Sequence, residues 1–171
     1  RSKCSHLTAG DLGTGANMAF RRSVFDAIGG FDPALDMGTA TCGGGDLEMF
    51  FRVIQEGFTL VYEPGAIVKH IHRREYKELK TQIRSWGTAF VSYLIRSAIA
   101  YPGARFMILC FTVRWLLGRH VLRMLKHLSG PNRIPLDLML AELAGSLGGL
   151  FAYQRSRRVE ERIKATFGPI E

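Results

Sequence analysis

The spacing of hydrophobic positions changes part-way along the chain. Up to about residue 71 they come in short runs separated by Gly, Pro and Asp. Asn17-Met18-Ala19-Phe20-Arg21, Thr59-Leu60-Val61-Tyr62 and Ala66 to Ile71 read as strands. Val24 to Ile28 reads as a short helix, capped by Ser23 and stopped by Gly29-Gly30. Phe31-Asp32-Pro33 is a turn, because the residue before Pro is pushed out of helical space. Leu35 to Gly45 is a Gly/Thr-rich loop. From about Asp46 to Gln55 the chain predicts a helix, with Met49, Phe50, Val53 and Ile54 on one face and Gly57 as its end. Strands and helices in alternation predict an α/β layer, with too few elements for a full doubly wound sheet.

From Arg73 onward the pattern is helical almost throughout. Arg74 to Ile95, Ala104 to Leu128 and Leu136 to about Arg158 are three predicted helices, broken at Pro102-Gly103 and Ser129-Gly130-Pro131. A spanning helix needs about twenty mostly apolar residues. The best window, Phe106 to Leu125, holds Arg114, Arg119 and Arg123, which fits a helix lying in a membrane interface better than one crossing it. The uncharged run Leu143 to Gln154 is too short to cross, and Arg155, Arg157 and Arg158 follow it, placed to meet lipid head groups. A helical bundle with snorkelling arginines is the simpler alternative.

Charge sharpens this division. Of 171 residues, 47% are hydrophobic and 22% charged, which excludes a disordered or fibrous chain. Residues 1–68 carry 5 Lys/Arg against 8 Asp/Glu, and residues 69–171 carry 18 against 7. Between Leu79 and Leu136 there are nine Lys/Arg and no acid. Such a segment wants an anionic partner, a membrane surface or nucleic acid. Its cations are interleaved with bulky aliphatics, which favours the anionic membrane surface and predicts no nucleic-acid binding. The expected domains are 1–95 and a basic, amphipathic, membrane-associated region 96–171. Cys4, Cys42 and Cys110 form no disulfide framework and no zinc spacing, so a reducing compartment is expected. The chain opens Arg-Ser-Lys-Cys, with neither Met nor a signal-like apolar core, and reads as a fragment or processed chain.

One constellation bears chemistry. Gly43-Gly44-Gly45-Asp46 opens a helix, and a stretch with His70 and His72 follows. Glycines let a ligand approach the backbone, and a carboxylate at a helix start can take a proton from a bound hydroxyl. Capping explains Asp46 equally well. Glu48 and Glu56 read as ordinary solvated helix residues. His70 and His72 would share one strand face, but two His do not fill a metal site.

Four ordered blocks carry a resemblance. They are Gly13 to Arg22; Phe25 to Asp32; Gly44-Gly45-Asp46-Leu47-Glu48-Met49-Phe50-Phe51-Arg52; and Tyr62-Glu63-Pro64 with Val68-Lys69-His70. Over roughly residues 10–95 the chain resembles the C-terminal half of a family 2 glycosyltransferase, an inverting, nucleotide-sugar-dependent enzyme of the GT-A fold. The resemblance implies an α/β fold with a mainly helical basic extension. It makes Asp46 the general base, with Gly45 where the family has the Glu of a Glu-Asp pair. It places Gly15, Ala16 and Asn17, with Gly44 and Gly45, beside the sugar and acceptor pocket. Arg52 becomes structural or orienting, and His70 a metal or diphosphate ligand, with Arg73 or Arg74 as further candidates for the diphosphate. Gln82-Ile83-Arg84-Ser85-Trp86 is similar to the Gln-x-x-Arg-Trp acceptor motif, with the Arg one place early, so Trp86 lines an acceptor channel or packs.

The implied donor is a nucleotide-diphosphate sugar, and the implied acceptor a lipid-linked or growing glycan. The implied site is the cytoplasmic face of the cell membrane, and the implied cofactor Mg2+ or Mn2+. The family's Asp-x-Asp metal motif is absent from this chain, and Asp32 with Asp36 does not replace it. The nucleotide-binding half is therefore expected upstream, and residues 1–171 alone are expected to be inactive. Two other readings stay open: a non-enzymatic α/β module with a basic arm, and a metal hydrolase built on His70, His72 and Asp46.

Overall fold

The computed structural model describes residues 3–69, 71, 74–130 and 134–168. Among the described residues six α-helices carry the fold: α1 (Arg22–Ile28), α2 (Gly45–Gln55), α3 (Tyr76–Ala100), α4 (Arg105–Leu116), α5 (Leu122–Ser129) and α6 (Leu136–Phe167). A 3-10 stretch, Lys3–Leu12, precedes them, and a single π-helical segment, Leu117–Val121, joins α4 to α5.

The expected α/β layer does not form, and the GT-A assignment falls with it. Among the described residues there is no strand, only one isolated bridge between Thr14 and Asn17. Residues 17–21, 59–62 and 66–69 run as irregular chain. A strand is stable only when neighbours complete its hydrogen-bond ladder. Here no extended neighbour lies alongside among the described residues, and Val61, Ile67 and Ile71 are exposed. Their β-forming side chains express a propensity that finds no partner.

Helix boundaries follow local chemistry with corrections. α1 begins at Arg22, with Arg21 in the cap position and no side-chain cap, so Ser23 lies inside the first turn. Gly29, at φ 79°, ends it. α2 starts after Gly44, whose φ of 107° suits glycine, and a Cβ there would sit 2.9 Å from the Ala89 carbonyl oxygen. α2 is buried on two sides rather than one. Met49 and Val53 join Val24, flanked by Phe20, Phe25, Ile28 and Phe58. Phe51 faces the main core of Leu35, Tyr93, Leu94, Ile108, Phe111 and Tyr153. The predicted helix 104–128 is two helices around the π turn, and α3 and this rod meet at a 118° bend after Ala100.

The longest contact is between α3 and α6, which run parallel. Tyr76 donates to Asp137 at 2.8 Å, Thr88 Oγ1 to the Gly145 carbonyl at 3.1 Å and Ser92 Oγ to the Gly149 carbonyl at 3.3 Å. Parallel neighbours need a return path, and α4–α5 supplies it. The backbones approach through glycine. A Cβ on Gly145 would overlap the Arg84 carbonyl oxygen, one on Gly87 would lie 2.5 Å from the Glu142 carbonyl oxygen, and one on Gly149 2.7 Å from that of Thr88. Small residues with hydroxyls donating to the facing backbone are the means by which helices pack this closely.

α5 and the π turn are tied to α6 by Glu142, which receives Arg119 at 2.8 Å and Arg123 at 2.9 Å. Beside it His120 Nε2 lies 3.2 Å from Ser146 Oγ, with Trp115 edge-on to the imidazole. Burial holds the His120 imidazole below its ordinary value; Glu142 opposes this, and Arg119 and Arg123 add to it. A depressed folded-state value means that the stabilisation is complete above the unfolded value, about 6.5, and is lost as pH falls through the folded one. In thermal melts the wild type should therefore lose stability relative to His120→Gln as pH drops below about 6.5. Parallel pH profiles for the two proteins would show that His120 does not titrate on unfolding.

Candidate functional site

Asp46 occupies the first turn of α2, partly buried. Its Oδ1 accepts the Leu47 N–H at 2.9 Å and its Oδ2 the Gly15 N–H at 2.9 Å. The tight turn Thr14–Asn17, closed by the Asn17 N–H on the Thr14 carbonyl at 2.9 Å, presents Gly15 to the carboxylate. Only glycine fits easily there, since a Cβ at position 15 would lie 3.1 Å from Asp46 Oδ2. The carboxylate is thus fixed in direction by two backbone donors and retains lone pairs for a third.

The same turn forms one wall of a cleft of about 370 Å3. Gly13, Thr14 and Asn17 line it with Phe50, Tyr62 and Glu63. Asn17 Nδ2 donates to the Ala66 carbonyl at 2.7 Å, which pins the irregular segment 59–69 over the turn. Ala16 is exposed at the tip of this turn. Gly15, Ala16, Asn17 and Asp46 are therefore brought together, and Gly44 and Gly45 set the start of the helix that carries Asp46.

The other candidates lie elsewhere. Trp86 is exposed on α3 and lines a separate cleft of about 270 Å3 with Ile83, Arg119, Arg123 and Leu138. His70, His72 and Arg73 lie outside the described residues. Arg74 lies exposed just before α3. Among the described residues no three His, Cys, Asp or Glu side chains converge to hold a metal ion. The described residues of this site do not by themselves hold a divalent cation.

Arg52 is buried, donating to the Ile28 carbonyl at 2.8 Å, the Gly30 carbonyl at 2.7 Å and Glu48 at 2.8 Å. Glu48, expected to be solvated, is wholly buried. Arg96 from α3 reaches its other oxygen at 2.6 Å and Asp32 at 3.2 Å. Tyr153 of α6 donates to the same Asp32 oxygen at 2.9 Å. Burial raises the Glu48 carboxyl above its usual range, while Arg96 and Arg52 pull it down and Asp32 adds to the rise. This network fixes α2 against α3 and α6, and so fixes where Asp46 stands. The Glu48–Arg52 spacing of four was its visible sign; nothing local announces Arg96, Asp32 or Tyr153. Tyr101, donating to Glu56 at 2.8 Å and pushed up to about 12 by burial and then by that carboxylate, anchors the end of α2 to α3.

Comparison with known proteins adds a reaction class. A stretch of 71 residues, 42% of the chain, is 35% identical to the pre-mycofactocin glycosyltransferase of Mycobacterium tuberculosis, in each of two strains. Over this stretch the chain is a distant relative of a glycosyltransferase. The match spans 12% of that protein's length. No family model matches the chain, and no solved structure gives a significant match.

α6 is the one helix among the described residues long and apolar enough by itself to cross a membrane, and half of its apolar window is buried inside the fold.

Proposed function

We propose that this chain is part of a glycosyltransferase that moves a sugar, with inversion, from a nucleotide-diphosphate donor to a lipid-linked or glycan acceptor, with Asp46 as general base. The observation that carries this is the Asp46 carboxylate, aimed by the Gly15 and Leu47 N–H groups beside the Asn17 cleft. The similarity to a glycosyltransferase supports the reaction class.

In such a displacement the acceptor hydroxyl oxygen bonds to the anomeric carbon while the bond from that carbon to the diphosphate oxygen breaks. The hydroxyl proton passes to Asp46, and the nucleoside diphosphate leaves with the bonding electron pair. Two backbone donors hold the carboxylate oriented before the hydroxyl arrives. Asn17 and the turn around Gly15 form the wall against which a sugar ring rests. Positive charge for the departing diphosphate would be supplied by His70 and by Arg73 or Arg74. The acceptor sits at the cytoplasmic face of a membrane, and the basic helices hold the site there.

The test is sugar transfer by the whole protein that contains this chain. Asp46→Asn keeps the shape and removes the base, so turnover should fall by roughly a hundredfold or more with donor binding unchanged. Asp36→Asn, at an exposed loop carboxylate, serves as control. Equal turnover in the two variants would remove Asp46 from the chemistry.

A further inference from the structure

We propose that the outer stripe of α4 and the π turn after it is a docking surface for an anionic lipid bilayer, on which the α4–α5 rod lies flat. The inference deepens the membrane-proximal reading above, but its observations and its test are independent of sugar transfer. α4 is apolar on both sides. Ile108 and Phe111 enter the core, while Phe106, Leu109, Cys110, Val113 and Leu117 recur at spacings of three, one, three and four on a side exposed among the described residues. Phe106 is 79% exposed and Leu109 60%. A helix apolar all round is ordinarily buried all round. An exposed stripe of this kind calls for a cover. Val121 and Leu128 carry the exposed apolar surface onward past the π turn.

Charge names the cover. The segment 79–136 holds nine Lys/Arg and no acid; carboxylates from the rest of the described chain meet Lys80 (Asp137), Arg96 (Glu48 and Asp32), and Arg119 and Arg123 (Glu142). Arg105 donates to the Ala98 carbonyl at 2.8 Å, and Arg114 stacks over Phe111 at 5.9 Å, which sets a guanidinium on each side of the stripe. Apolar stripe plus flanking cations is the chemistry of an anionic bilayer surface, with the hydrocarbon accepting the stripe and the head groups the cations. A second copy meeting the first through the same face would set two acid-free basic segments against each other.

The surface is α4 rather than α6, although α6 passes the length and hydropathy test for a span. Half of the apolar window of α6 is buried inside the fold, and Glu142 within it holds two arginines. Crossing the bilayer would require α6 to leave these contacts. α4 can meet lipid with the fold intact.

Cys110 lies within the stripe and is a free, exposed thiol, which makes it the probe. In the Cys4→Ser/Cys42→Ser protein, an environment-sensitive dye on Cys110 should shift to the blue with phosphatidylglycerol vesicles. With phosphatidylcholine vesicles it should shift far less. Cosedimentation of the otherwise unaltered chain with phosphatidylglycerol vesicles should fall more than about tenfold in Phe106→Gln/Leu109→Gln/Val113→Gln. If that triple variant loses its helical circular dichroism, Phe106→Gln alone should still lose about fivefold. Asp46→Asn should bind vesicles like the unaltered chain, whatever it does to sugar transfer. A dye unmoved by phosphatidylglycerol would overturn the proposal. So would a blue shift without lipid accompanied by a doubled mass in sedimentation, which would give the stripe to a second copy.

Discussion

Glu48→Ala should destabilise the fold by about 3–5 kcal/mol, because it leaves buried guanidinium groups without their counter-charge. Glu48 is wholly enclosed and is met by Arg52 at 2.8 Å and Arg96 at 2.6 Å. Removing the carboxylate frees no charge to reach water. Arg52 still has the Ile28 and Gly30 carbonyls, and Arg96 still has Asp32, but the centre of the cluster becomes net positive. The desolvation of the arginines, previously offset, is then exposed in full. Urea unfolding followed by circular dichroism measures the loss. Glu48→Leu combined with Arg96→Met should recover much of it, since apolar residues of similar volume often replace buried ion pairs at little cost. A single Glu48→Ala within about 0.5 kcal/mol of wild type, the range of ordinary surface substitutions, would mean that the cluster is not the lock between α2 and α3.

The second large effect is expected from one methyl group. Gly145→Ala should cost about 3 kcal/mol, at the upper end of ordinary overpacking, because the new carbon meets the Arg84 carbonyl oxygen rather than a side chain that can turn aside. The helices must part, and the hydrogen bonds from Thr88 and Ser92 to the α6 backbone weaken with them. Gly148→Ala, three residues along the same helix, meets nothing within 4 Å. It should stabilise the protein by up to about 1 kcal/mol through helix propensity alone. The opposite signs make the pair informative in one set of urea titrations. A shared sign would mean that α3 and α6 do not approach backbone to backbone at this point.

These two sites also mark what could be read from the sequence. The helix from Asp46 was legible from its glycines and its apolar spacing, as were the long helices on either side of Pro102 and Pro131, because those signals are local. Strands were not, because Thr59 to Tyr62 and Ala66 to Ile71 carry β-forming residues whose pairing depends on a neighbour the pattern does not contain. The π turn at Leu117–Val121 was hidden, since a lone Gly118 inside an apolar helical pattern does not distinguish a π turn from a continuous helix. Asp46 stood out beside its glycines, but its hold on Gly15, 31 residues away, is a property of the folded chain. Glu48 was misjudged for the same reason. A Glu and an Arg four apart look like a solvated pair until Arg96 arrives from α3.

The parallel pairing of α3 with α6 also sets a timetable for synthesis. Thr88 and Ser92 each bond to a residue 57 positions later in the chain. At ribosomal rates of about 5–20 residues per second, each of these hydroxyls is made roughly 3 to 11 s before the carbonyl it bonds. Through that interval the groove around Gly87 lies open on the nascent chain, and whatever meets it first, a chaperone or the bilayer, has priority over α6.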